Sequence, residues 1–153
     1  MGGDEKARAV AEILEREKEA PSAAVYVGDS ITDTVAFDLV RSHGGLAVSF
    51  NGNRYALAHA EIACIAADTL VLEPLARAFA SGGREAALAL AHGWPRAAWE
   101  EWLGPEDRAL WREVYREGSP LLAVITPEGF GELVGASEAA RKAVRGARVG
   151  ALG

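Results

Sequence analysis

Ala23-Ala24-Val25-Tyr26-Val27-Gly28-Asp29-Ser30-Ile31-Thr32-Asp33 is the stretch from which the fold can be read. Its first five residues are apolar on both faces and too few for a helix, the pattern of an internal parallel strand with helices on either side. The run stops at Gly28-Asp29, and open parallel α/β sheets place their ligands beyond the carboxyl ends of their strands. Asp29 therefore stands where a functional carboxylate is expected. Asp33 follows at the head of the next helix and can face the same point. Two hard oxygen donors converging there suit Mg2+, which keeps several waters and shares a phosphate with its substrate. The plainer reading makes Asp33 a helix N-cap and Asp29 a turn residue.

Upstream, Ala7, Val10, Ala11, Ile13 and Leu14 recur at helical spacing among Glu, Lys and Arg until Pro21 ends the pattern. Downstream, residues 33–41 carry Val35, Ala36, Leu39 and Val40 on one helical face and close at Gly44-Gly45. Strands are expected over 46–50 and 61–66, separated by the turn Asn51-Gly52-Asn53 and a short helix. Asp68 or Thr69 can cap the helix that carries Leu72, Leu75, Ala76 and Phe79. This alternation predicts an α/β fold, a Rossmann-like parallel sheet with flanking helices. The rhythm breaks at Gly82-Gly83. Residues 84–118 read as two or three helices without a strand, a helical insertion within a single domain spanning 1–153. A strand over 121–125 follows, Thr126-Pro127 opens a helix, and Ser137 can cap a last basic helix with Arg141, Lys142 and Arg145.

The chain has 153 residues, 50% of them apolar and 25% charged, enough for one domain with a real core. No apolar stretch approaches the length of a membrane span, and Asp4, Glu5, Lys6 and Arg8 stand where a signal peptide needs apolar residues. The net charge of -6, without any Lys/Arg run, argues against nucleic acid as a partner. Cys64 is the single cysteine, so no internal disulfide or cysteine-built zinc site is possible, and in its apolar surroundings it reads as a buried small hydrophobe. A cytoplasmic protein fits these features.

Two known families contain a block like Gly28 to Asp33. Its first five residues resemble the GDS-type (SGNH) esterase block, which would make Ser30 the nucleophile. A serine hydroxyl needs a general base, and that family supplies it from an Asp-x-x-His motif. His43, His59 and His92 are preceded three residues earlier by Val40, Ala56 and Ala89, and no Gly-x-Asn-Asp block follows. This disfavours the esterase. The whole block, Gly-Asp-x-x-x-Asp, resembles the fourth motif of the haloacid dehalogenase (HAD) superfamily. That family also wants a lysine about one helix upstream of the strand, where Lys6 stands. The resemblance gives Lys6 the catalytic task of holding a phosphoryl group beside an attacking aspartate, a cation offsetting their repulsion. It gives Asp29 and Asp33 the metal, Mg2+.

Residues 44–53 resemble the next strand and loop of phosphoserine-phosphatase-like members. The resemblance makes Asn51 and Asn53, with Ser30 and Lys6, candidate substrate contacts; turn chemistry alone also accounts for the two asparagines. It runs over residues 2–66. The nearest subgroup is an archaeal-type set named as an energy-converting hydrogenase accessory subunit, to which residues 141–146 are also similar; no hydrogenase role follows from that name.

HAD phosphotransferases begin with Asp-x-Asp-x-Thr/Val, whose first aspartate attacks phosphorus. No two of Asp4, Asp29, Asp33, Asp38, Asp68 and Asp107 stand two positions apart, and the residues before Lys6 leave no room for the family's second motif. The expectation is the C-terminal portion of a truncated, Mg2+-dependent phosphate monoester phosphatase acting on a phosphorylated small molecule and inactive alone. A shortened chain, a split protein or a degenerate relative would each look like this. Without the strand that carries the nucleophile, 23–27 would be an unpaired edge, so a homo-oligomer, or an N-terminal partner chain completing the sheet, is expected. The alternative is a non-catalytic interaction or regulatory module of the same fold. Trp94, Trp99, Trp102 and Trp111 all lie in the insertion, where Trp99, Trp102 and Leu103, then Leu110, Trp111, Val114 and Tyr115, repeat at helical spacing, either packing it onto the sheet or forming a partner surface.

Overall fold

A computed structural model describes residues 2–115 and 119–150. Residues 116–118 of the expected insertion, and 1 and 151–153 of the expected domain, lie outside the described residues. Four strands, β1 (Val25–Gly28), β2 (Leu46–Phe50), β3 (Ile62–Ile65) and β4 (Leu121–Val124), form one sheet in the order β1-β2-β3-β4. Among the described residues six α-helices flank it: α1 (Gly3–Glu17), α2 (Thr34–Ser42), α3 (Arg54–His59), α4 (Leu72–His92), α5 (Pro105–Val114) and α6 (Phe130–Gly150). The α/β Rossmann-like architecture is thus the observed one, and among the described residues 84–115 carry helices and no strand. No helix of the described residues is long and apolar enough to cross a membrane.

The two faces of the sheet follow the alternation of side chains along a strand. Leu46 and Val48 of β2, with Ile62 and Cys64 of β3, point into a core closed by Leu75, Leu90, Leu103 and Trp111. Ala47 points the other way, against Phe37 of α2 and Ala56 of α3. Ala63 lies under Leu57 and Leu133 of α3 and α6. Cys64 is a core residue, its thiol pushed up to about 12 by burial and by the charge of Asp68.

Three expectations need correction. Among the described residues β1 hydrogen-bonds to β2 alone and so lies at the sheet edge, as the absence of a neighbouring strand leads one to expect; Val25 and Tyr26 pack on its opposite faces, but Val27 is 39% exposed, so the apolar run is not buried to its end. β4 runs antiparallel to β3, Ile65 facing Leu121. The reason lies in the glycines: Gly83 adopts φ 65°, a left-handed conformation open mainly to glycine, and divides α4 into two arms. Arg84, just past the kink, pairs with Glu61 at the start of β3, whereas Trp94, past the second arm, donates its indole N–H to Pro120 O at 2.8 Å beside β4. One helix after a strand returns the chain for a parallel partner; two antiparallel arms bring it back to the end it left. Third, Ser137 caps nothing. It lies inside α6, wholly buried, and its hydroxyl donates to Gly52 O at 2.7 Å.

Candidate functional site

At the end of β1 no side chain fits but hydrogen. A Cβ on Gly28 would lie 2.5 Å from Asp33 Cγ and 2.6 Å from its Cβ. The turn Ile31–Asp33 therefore folds the Asp33 carboxylate directly against the strand end. Oδ2 accepts the backbone N–H groups of Asp29 and Ser30 and the Ser30 hydroxyl, each at 3.0 Å. Oδ1 accepts the Tyr26 hydroxyl at 3.0 Å and the Lys6 ammonium at 2.7 Å. A carboxylate offers about four acceptor sites, so these donors saturate it. Burial alone would raise its pKa, yet the hydrogen bonds from Lys6, Asp29, Ser30 and Tyr26 outweigh burial and hold it at about 2. The same burial, with the bond to Asp33, pushes the Tyr26 phenol above its ordinary value.

Asp29, four positions earlier, is the opposite case: its side chain is 56% exposed and stands 2.9 Å from Arg141 Nη1. The carbonyl of Asp29 accepts from Asn53 N–H at 3.0 Å and from Arg141 Nη1 at 2.6 Å. Arg141 Nη1 also donates to Asn51 O at 3.2 Å. An arginine from α6 thus ties together the loops that follow β1 and β2.

Lys6, Asp29, Asp33 and Arg141 line one cleft of about 640 Å3, closed on its apolar side by Phe50 and Leu72. Two of these groups are cationic and two anionic, paired Lys6 with Asp33 and Arg141 with Asp29, so among the described residues the lining of the cleft carries no net formal charge. Asn51 borders it, but its side chain is committed elsewhere: Nδ2 donates to Ala66 O at 2.7 Å and Oδ1 accepts from Ala66 N at 3.1 Å. Asn53 caps α3, its Oδ1 accepting from the N–H groups of Tyr55 and Ala56 at 3.1 Å. Turn and cap chemistry therefore accounts for both asparagine side chains. The Ser30 hydroxyl is spent on Asp33 and Thr32. His59 is paired with Asp38 and His43 with the end of α2, and none of the three histidines lines the cleft with Asp29, which leaves the esterase reading without its base.

Lys6, Asp29 and Asp33 meet as the sequence expects. As a metal site they are sparse: among the described residues no group of three or more His, Cys, Asp and Glu is placed to hold a metal. With Asp33 saturated, Asp29 supplies the exposed carboxylate. Such a donor set fits a cation that keeps most of its water, as Mg2+ does, better than one that requires three or four protein ligands, as Zn2+ does.

No known family pattern matches the chain, and no curated protein does. Among solved structures, the gene product AF1437 from Archaeoglobus fulgidus is similar over 95% of this chain, with a TM-score of 0.71 and 27% sequence identity. The chain spans 39% of the length of that protein.

Arg141 is the site residue that sequence reading misses. Its contact with Asp29 joins residues 112 positions apart; in the sequence it is one basic residue among several in an amphipathic helix. The tryptophans resolve toward packing. Trp111 is 2% exposed and its ring meets those of Trp94, Trp99 and Tyr115 at 5.6, 6.4 and 5.0 Å.

Proposed function

We propose that this chain is the C-terminal portion of a HAD-like, Mg2+-dependent phosphate monoester phosphatase, whose cleft holds the phosphoryl group of a small molecule while the attacking carboxylate is supplied from outside this sequence. The observation that carries the reading is the convergence of Lys6, the Gly28-Asp29 strand end and Asp33 on one cleft. Saturated and anionic, Asp33 orients Lys6 and fixes the turn that presents Asp29. Lys6, still part-exposed at 27%, offers its remaining N–H donors to a phosphoryl oxygen. Asp29 would hold Mg2+, which when bound supplies charge neutralisation for a phosphate dianion. Tyr26 stays protonated and serves only to anchor Asp33.

The free edge of β1 is where a further strand, from a second copy or an N-terminal partner chain, completes the sheet; AF1437 is a much longer chain than this one. The second reading, a non-catalytic module of the same fold, draws on the sparse metal-ligand set and the two internally cancelled charge pairs. Calorimetric titration with Mg2+ and inorganic phosphate, alongside a phosphatase assay, separates them. The phosphatase reading expects weak binding of both ligands, loss of Mg2+ binding in Asp29→Asn, and no turnover by this chain alone. Absence of binding to the wild type leaves the module.

A further inference from the structure

Arg141 reaches Asp29 only through Nη1, which bonds the Asp29 carbonyl at 2.6 Å and the Asn51 carbonyl at 3.2 Å and stands 2.9 Å from Asp29 Oδ2. Among the described residues no acceptor is bonded to Nε or Nη2, although the side chain is only 19% exposed and lines the cleft. A guanidinium carries five N–H donors in a fixed fork suited to phosphate and carboxylate. Most of that fork is thus unused, at the one carboxylate of the cleft that is open to a cation. We propose that Arg141 is a phosphate-binding residue held in reserve on Asp29: it competes with a divalent cation for that carboxylate and, once displaced, turns its fork to the oxyanion.

The argument is one of charge and rests on the reading of the cleft as a magnesium–phosphate site. With Lys6 paired to Asp33 and Arg141 to Asp29, the described residues of the cleft offer a dianion no net attraction and a dication no carboxylate without a counter-ion. A cation alone must break the Arg141–Asp29 pair and leave the guanidinium without its counter-ion. A dianion alone must do the same and leave Asp29 without its own. When both ligands enter, every charge finds a partner: cation with Asp29 and phosphate, phosphate with Arg141 and Lys6. Binding of the two is therefore synergistic, and Arg141 opposes the first while favouring the second. Two backbone carbonyls also hold Nη1, so the guanidinium keeps its place beside the cleft when the exposed Asp29 carboxylate turns from it to the cation.

The test is isothermal titration of the full 153-residue chain with MgCl2 and with inorganic phosphate, each alone and each at saturating levels of the other. Wild type is expected to bind phosphate about tenfold tighter in the presence of Mg2+, the range of one charge-assisted hydrogen bond. Arg141→Gln is expected to bind Mg2+ alone severalfold tighter and phosphate at least about tenfold weaker. A structural role moves both affinities the same way, so the opposite signs carry the test. Lys142→Gln, an exposed neighbour on α6, should leave both unchanged. If circular dichroism finds Arg141→Gln unfolded, Arg141→Lys, which keeps the charge but loses the fork, is expected to give the same opposite signs at smaller size. Changes of one sign, or none, in a variant of a wild type that binds both ligands overturn the role of Arg141 and leave the site reading standing. A wild type that binds neither ligand overturns the site reading itself.

Discussion

The strand-end cleft and the tryptophan-rich insertion are both dense, but they are built from opposite materials. At the cleft the Asp33 carboxylate and the Asn51 amide are each answered by several groups, while Ser49, opposite Gly28 in the sheet, buries a hydroxyl without a partner among the described residues. In the insertion, rings contact rings around Trp111, whose own indole N–H has no hydrogen-bond partner among the described residues. Buried polar networks fix geometry more than they add stability, because desolvation offsets much of what they gain. Aromatic packing contributes stability and tolerates an unmatched donor. The insertion therefore supplies stability on which a charge-balanced strand end can be held.

That contrast can be broken in three places. Trp111→Ala, which opens the aromatic cluster, is expected to cost about 3–5 kcal/mol in urea unfolding while leaving ligand binding at the cleft intact in the folded fraction. A loss under about 1 kcal/mol would put the stabilising core elsewhere. Next comes acid. Asp33 titrates at about 2 in the folded chain against an ordinary 3.8, so its contribution is fully present above pH 3.8 and is lost as pH falls through about 2. The expected size is about 2 kcal/mol, read as the difference between the pH dependence of unfolding in wild type and in Asp33→Asn. If the two profiles run parallel between pH 4 and 2, the donors around Asp33 are not holding its charge. The smallest effect belongs to the edge. Val27→Lys, at a half-exposed position of β1, should shift monomer stability by no more than about 0.5 kcal/mol, yet a lysine on an edge strand discourages pairing with another chain. Light scattering should find an associated wild type and a dissociated variant; equal masses would remove β1 as the pairing edge.

The legible parts of the molecule are those governed by local pattern. The helical period of α2, the apolar runs of β2 and β3, and the Gly28-to-Asp33 block each need only neighbours in sequence, and each lies where it is expected. The direction of β4 was harder, because it depends on whether the chain between β3 and β4 reverses once or twice, and that turns on the kink at Gly82 and Gly83. Asp33 shows a third case. Its presence at the site is legible from spacing, but its role depends on how many donors reach it, and Tyr26 and Lys6 approach from outside the motif. Arg141 was not legible at all, since only the tertiary fold carries α6 across to the loops after β1 and β2.

Ser137 and Arg141 stand one turn apart on α6 and share a face toward the cleft loops, the first bonded to Gly52 O and the second to Asp29 O and Asn51 O. A helix advances about 100° per residue. Slipping or overwinding α6 by a single position before Ser137 would therefore carry both contacts to another side of the helix at once, and no side-chain rotamer could recover them. The mouth of the cleft is keyed to the rotational phase of α6 as a lock is keyed to the cut of a shaft, and a one-residue insertion or deletion between Phe130 and Ser137 would disengage it while leaving the helix itself intact.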